Sequence, residues 1–282
     1  MSQQPFKTIG IGVTFSPNLK ANIYEAARLS VIFKSKLVLI HVGDKTQEKF
    51  NEFKKLLKPF TEEGLNYNFV FKPGNPVDVI LTVSATQKID LLILGALQRE
   101  NFLKHYLGSI ARKITRRAKC SVLLLIKPSV KRLTCEHIVV NGLKDPKTEQ
   151  TIASAFYVAN CLGAVKMTIV EEITQEELAV TVEDDESLRR STIIKERIKR
   201  QEEARIKTII EDIPKEQTEN IVIKSQPIFG TKGYSIGHYA EVVRADLLVM
   251  NAPTKMTFWD RLFPHDIEHI LSELPTDVLI IQ

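Results

Sequence analysis

Glycines that let the backbone approach a phosphate, followed by the free N–H groups of a helix start, make a ready anion site. One stretch of this 282-residue sequence combines the two. It runs Gly95-Ala-Leu-Gln98 and later Leu107-Gly108-Ser109-Ile110-Ala-Arg112, after the apolar run Asp90-Leu-Leu-Ile-Leu94. A helix is expected to open at Ser109, whose hydroxyl can cap it or meet a phosphate oxygen. Gly95 and Gly108 could equally shape a plain turn and let a helix pack, so the chemistry depends on the elements around them.

Other groupings carry less. His265-Asp-Ile-Glu268-His269 has the spelling that sets two histidines on one helix face in a class of zinc peptidases. No third acidic ligand can be identified by spacing, and the reading taken is helix-terminal polar residues with no metal. Cys120, Cys135 and Cys161 form no CxxC pair and read as structural thiols. Phe258-Trp-Asp-Arg-Leu-Phe263 reads as loop packing before it reads as a binding anchor. Gly10 and Gly12 lack the third glycine of a dinucleotide fingerprint, and neither a G-x-S-x-G elbow nor a complete Walker loop occurs. With no nucleophile, base and orienting group to propose together, no catalytic residue is assigned.

The elements that must position the loop come in two copies. Gly74 and Gly230, Ile80 and Ile236, and Asp90 and Asp246 are each 156 residues apart, and the same offset carries the strand from Ser121 onto Asp277. Ahead of Gly74 the copies match at 129: Ala26 with Ala155, Ser30 with Ala159, and Leu39-Ile40 with Thr168-Ile169. The two offsets differ by 27, the size of an insertion in the second copy. Within it, residues 183–213 are rich in charge and carry Ile194, Ile198, Ile206, Ile209 and Ile210 at near-helical spacing, which predicts one long amphipathic helix. The heptad is not sustained, which argues against a coiled coil.

In the first copy, strands are expected over 8–14, 37–42, 67–71, 90–94 and 122–126, with helices over 18–33, 45–63, 77–87 and 109–117 between them. Strands alternating with helices predict an open parallel sheet covered on both faces. The fold class is thus α/β, with two tandem domains at about 1–130 and 131–282. In such sheets ligands bind outside the carboxyl ends of the strands, where the Gly95 loop would stand.

Leu39-Ile-His41-Val42, Asp90-Leu-Leu-Ile-Leu-Gly95, Gly108-Ser109 and Ser121-Val-Leu-Leu-Leu125, in this order and spacing, make the chain resemble the universal stress protein family over its length, as two consecutive domains. The resemblance implies an adenine-nucleotide α-hydrolase-like sheet and a stress-response protein that binds ATP, with or without Mg, in the first copy. It assigns the site to Val13, Thr14, His41, Val42, Gly95, Gln98, Gly108, Ser109 and Ile110. It also implies an internal pseudo-dimer in place of a homodimer, with the strands over 122–126 and 278–281 at the junction, and leaves further dimerisation open. Any ATP hydrolysis would be weak.

Two departures stand in the first copy. Thr14, followed by Phe15 and Ser16, replaces the family's adenosine-recognising aspartate, and Gln98 replaces a loop glycine. In the second copy Asn251, Thr254, Pro264 and His265 stand at the positions of Gly95, Gln98, Gly108 and Ser109, and no ATP is expected there. The competing reading is a nucleotide-free scaffold presenting the inserted helix to an unknown protein partner.

Composition narrows the rest. With 44% hydrophobic residues the chain can fill a core, and no apolar run reaches the roughly 20 residues of a membrane-spanning helix. The start MSQQPFKTIGIGV has none of the marks of a signal peptide, so a cytoplasmic protein is expected. A net charge of +5 is mild, and the basic runs over 112–119 and 189–200 read as solvated helix faces, without nucleic acid as a partner.

Overall fold

A computed structural model describes residues 4–14, 16–98, 105–174, 183–231, 234–252, 270–271 and 273–282. Phe15, the stretch from Phe258 to Phe263, and Thr254, Pro264, His265, Glu268 and His269 lie outside the described residues. The chain divides into two units, Met1–Thr134 with Thr276–Gln282, and Cys135–Pro275. No helix among the described residues is long and apolar enough to cross a membrane.

The first unit alternates β1 (Thr8–Val13), α1 (Leu19–Ile32), β2 (Lys36–Val42), α2 (Gln47–Thr61), β3 (Tyr67–Lys72), α3 (Pro76–Thr86) and β4 (Leu91–Gly95). Two short strands follow, β5 (Leu97–Gln98) and β6 (His105–Tyr106), then α4 (Ser109–Arg117) and β7 (Ser121–Leu125). β1 pairs in parallel with both β2 and β4, β2 with β3, and β4 with β7. The middle residues of β2, KLVLIHV, are all buried, as a parallel strand covered on both faces requires. Thr46 caps α2, and Asn75 caps α3 by accepting from the Val77 and Asp78 N–H groups, with Pro76 in the first turn where its missing donor costs nothing. A strand from the far end of the chain, β12 (Asp277–Ile281), completes this unit by pairing antiparallel with β7. The Asp277 carboxylate accepts the Ile126 N–H at 2.8 Å.

The second unit repeats the plan with β8 (His137–Asn141), α5 (Thr148–Leu162), β9 (Lys166–Ile173), α6 (Asp185–Glu211), the single turn α7 (Lys215–Thr218), β10 (Val222–Phe229), α8 (Tyr234–Val242) and β11 (Leu247–Asn251). β8 lies between β9 and β11, and β9 pairs with β10, all in parallel. α5 ends on Gly163, whose φ of 81° is the left-handed cap that favours glycine. α6 is the long helix expected over 183–213. Asp184 opens it with a reciprocal cap, accepting from the Ser187 N–H while the Ser187 hydroxyl accepts from the Asp184 N–H.

The sequence repeat has a physical cause at its most visible acid. The Asp90 carboxylate accepts the N–H groups of Lys7 and Thr8 at 2.9 and 3.0 Å, closing the start of β1. Asp246 does the same for Glu136 and His137 at 2.8 and 2.9 Å at the start of β8. Each acid ties its β4-type strand to the neighbouring first strand. Asp246→Ala leaves two strand-entry donors without this acceptor and is expected to cost about 1–3 kcal/mol, read as a lower urea midpoint. Asp246→Asn, which keeps one acceptor oxygen, is expected to lose less.

Candidate functional site

The chain leaves β1 for β2 on one side and reaches β4 on the other, so the strand order reverses between β1 and β4. Outside the carboxyl ends of the strands at such a reversal is where α/β sheets hold ligands. Val13 ends β1 buried, and Thr14 beyond it is exposed. Ile11 pairs with Ile93, and two residues further this register brings Gly95 level with Val13. β2 ends beside them, His41 opposite Val13 and Val42 half-buried.

His41 belongs to the packing as much as to these strand ends. Its Nδ1–H donates to the Val13 carbonyl at 3.1 Å, which fixes the tautomer because a carbonyl only accepts. The ring lies 5.7 Å from Phe53 and 5.6 Å from Phe71, centroid to centroid, so β1, β2, β3 and α2 meet around it.

From Gly95 the chain enters a small hairpin, with Leu97 opposite Tyr106 and Gln98 opposite His105. Gln98 lies in the extended backbone of β5, a conformation open to any residue. The hairpin returns through the buried Leu107 to Gly108, the N-cap of α4. Gly108 has φ −61° and ψ 160° and supplies no side-chain cap, while Ser109 and Ile110 are exposed in the first turn. The N-terminal end of the α4 dipole thus lacks a side-chain anion.

Asn22 of α1 is a site residue that the sequence did not single out. A Cβ at Gly95 would stand 3.2 Å from its Oδ1 and 3.3 Å from its Nδ2, so Gly95 admits this amide. The Oδ1 is buried with no hydrogen-bond partner among the described residues. At the repeat offsets Asn22 corresponds to Thr151 and Gly95 to Asn251. The amide has moved from helix to strand: Asn251 donates to the Thr148 hydroxyl at 3.1 Å, and Thr151 is the smaller residue facing inward. The exchange was readable only by laying the two offsets side by side.

In the second unit the positions of Val13, His41 and Val42 are taken by Gly142, Val170 and Glu171. Without a histidine on β9, α6 supplies the missing tie: the Arg205 guanidinium donates to the Gly142 carbonyl. Gly142 permits this approach, since a Cβ there would stand 3.3 Å from Ile206 of α6 and 2.8 Å from Ile169. Arg205 Nε also donates to Glu202 at 2.9 Å, and Lys144 pairs with the other Glu202 oxygen. Glu202 lies on the buried stripe of α6 between Ile198 and Ile206 and is 4% exposed. Glu172 accepts the Ile236 N–H at 2.7 Å and so fills the α8 N-terminus with protein carboxylate.

Burial pushes the Glu171 carboxyl from 4.5 up to about 7, against the opposing pull of the Ser225 hydroxyl and Arg205, with nearby Glu202 adding to the rise. A carboxyl whose folded value is raised binds its proton more tightly in the folded state. Its contribution to stability is therefore full below about pH 4.5 and is lost as pH rises through about 7. Glu171→Gln is expected to flatten that dependence and to stabilise the protein at pH 8 by up to about 3 kcal/mol. Urea titrations of both proteins at pH 5 and pH 8 measure this.

Cys120 is buried near Asp90, and burial pushes its thiol up to about 11, which keeps it from acting as a nucleophile at neutral pH. Among the described residues no group of three or more His, Cys, Asp or Glu is placed to share a metal ion.

The universal stress protein family model matches residues 44–125, a range that includes the loop from Gly95 to Ile110 but not Val13, Thr14, His41 or Val42. A curated relative, a universal stress protein of Methanocaldococcus jannaschii, is 27% identical over 88 residues, which are 31% of this chain and 52% of that protein. The match therefore spans about half of the relative's length. Among solved structures, a protein of unknown function from Pseudomonas aeruginosa is similar over 99% of this chain and 93% of its own, with TM-score 0.69 and 16% identity. A universal stress protein of Archaeoglobus fulgidus is similar over 98% of both chains, with TM-score 0.65 and 14% identity. These likenesses establish the fold over both units.

Proposed function

We propose that the chain, whose residues 44–125 match the universal stress protein family model, is a protein of that type whose first unit binds an adenine nucleotide, ATP, as a cytoplasmic sensor or regulator in the stress response. The observation that carries this reading is the α4 start, which has no side-chain cap and stands on the same loop as Gly95. Backbone N–H groups from Gly108 to Ile110 and the Ser109 hydroxyl would hold the phosphates. Thr14 and Val42 would border the adenosine over Val13 and His41, and Gln98 would flank the loop. The Thr14 hydroxyl can still meet a ribose hydroxyl, although it lacks the charge of an aspartate. Magnesium would come with the phosphates.

The second unit would contribute structure instead of a second nucleotide. Glu172 of β9 already accepts from the α8 N-terminus, where a phosphate would otherwise be held, and Asn251 fills the place of Gly95. Among the described residues of the first site none is placed as a base for water, and binding and release, with at most weak hydrolysis, is the chemistry expected.

The competing reading, a scaffold that has lost nucleotide binding, draws on Thr14 and Gln98, the two departures in the first copy. Calorimetric titration of the nucleotide-stripped protein with Mg-ATP separates the two. Saturable binding near one site per chain supports the sensor, and no heat of binding up to millimolar ATP overturns it.

A further inference from the structure

The solvent face of α6 gathers four arginines around one apolar side chain. At 100° per residue, Arg189, Arg190, Ile193, Arg197 and Arg200 fall within a sector of about 100°, over a length of about 16 Å. All four arginines are exposed, and Ile193 in their midst is 68% exposed. The opposite face, through Ser191, Glu202 and Ile206, is buried, so the orientation of the helix is fixed. Arg190 pairs with Glu186 one turn earlier. Arg189, Arg197 and Arg200 have no ion pair among the described residues, and Glu196 is the single acid within the 189–200 segment.

We propose that this face is a docking surface for an acidic amphipathic helix of a partner protein, with Ile193 meeting its apolar stripe and the arginines its carboxylates. The guanidinium fork matches a carboxylate in two parallel hydrogen bonds, which lysine cannot offer. Charge complementarity around an apolar centre is the pattern of a protein interface with a central anchor. Duplex nucleic acid fits less well: Glu196 borders the face, Ile193 has no counterpart on a phosphate backbone, and the whole chain carries only +5. A lipid surface would need a broad apolar stripe, and this face has one large apolar residue. The surface lies on the second unit and is independent of nucleotide binding by the first.

The test uses the full chain and a fluorescein-labelled acidic amphipathic peptide of about four helical turns, followed by anisotropy. Saturable binding is expected, weakened about tenfold or more between roughly 0.05 and 0.5 M salt. R197E/R200E, and separately Ile193→Asp, are each expected to weaken it about tenfold, with unchanged circular dichroism because all three residues are exposed. A short DNA duplex and phosphatidylserine vesicles serve as competing probes. Absence of saturable peptide binding, equal binding by R197E/R200E, or tighter binding of the duplex or the vesicles than of the peptide would each overturn the proposal.

Discussion

Gly108→Asp is expected to abolish measurable ATP binding while leaving the thermal midpoint unchanged or slightly raised. The backbone at Gly108 has φ −61° and ψ 160°, a conformation open to any residue, so the substitution adds no backbone strain. Aspartate is among the best N-cap residues, and its carboxylate would accept the first-turn N–H groups of α4 and favour the positive end of the helix dipole. Those are the donors proposed for the phosphates. The new charge also stands within a few ångströms of them, a repulsion of about 3–4 kcal/mol at the effective dielectric of a protein surface. That corresponds to a loss on the order of a hundredfold or more, since each 1.4 kcal/mol is a factor of ten. Calorimetry with Mg-ATP and a thermal melt of the same sample give both readouts. Loss of binding with a lowered melting temperature would point to damage to the fold, and retained binding would remove α4 from the site.

Arg205→Met is expected to destabilise the second unit strongly. It removes the donor to the Gly142 carbonyl and one of the two cations on Glu202, which is buried on the docked face of α6 close to Glu171. Breaking a buried ion pair costs about 3–5 kcal/mol, because the remaining charge stays buried without its partner. Lys144, largely exposed, still neutralises Glu202 in part, so the lower end of that range is expected. Replacing Glu202 with leucine in the same chain should recover much of the loss, as an apolar pair can substitute for a buried ionic one. Urea unfolding of both single variants and the double variant measures the coupling. Additive losses would show that Arg205 and Glu202 act separately.

How much of this was legible in the sequence depended on the range of the interaction concerned. Alternating apolar runs and helical periods gave β1 to β4, α1 to α4 and the long α6 close to their observed bounds, because burial on a sheet face or helix stripe repeats every two or about 3.6 residues along the chain. The equal spacing of Asp90 and Asp246 marked the repeat before its cause was visible, and the cause is a carboxylate bonded to a neighbouring strand.

What the sequence could not supply are the groups whose partners lie far along the chain. His41 became a tie to Val13 only once β1 and β2 stood side by side. Arg205, in a helix read by its isoleucines, does the same task for Gly142 from 63 residues away. Glu202 looked like one more solvated charge in a charged segment, yet its place on the stripe puts it inside. Asn22 was one polar residue among several until Gly95 was seen to make room for it. The pairing of β12 with β7 joins positions more than 150 residues apart. Periodicity records which face of an element is buried. Only the tertiary structure decides which group it is buried against, and that choice sets the hydrogen bonds, the charge states and the shape of the site.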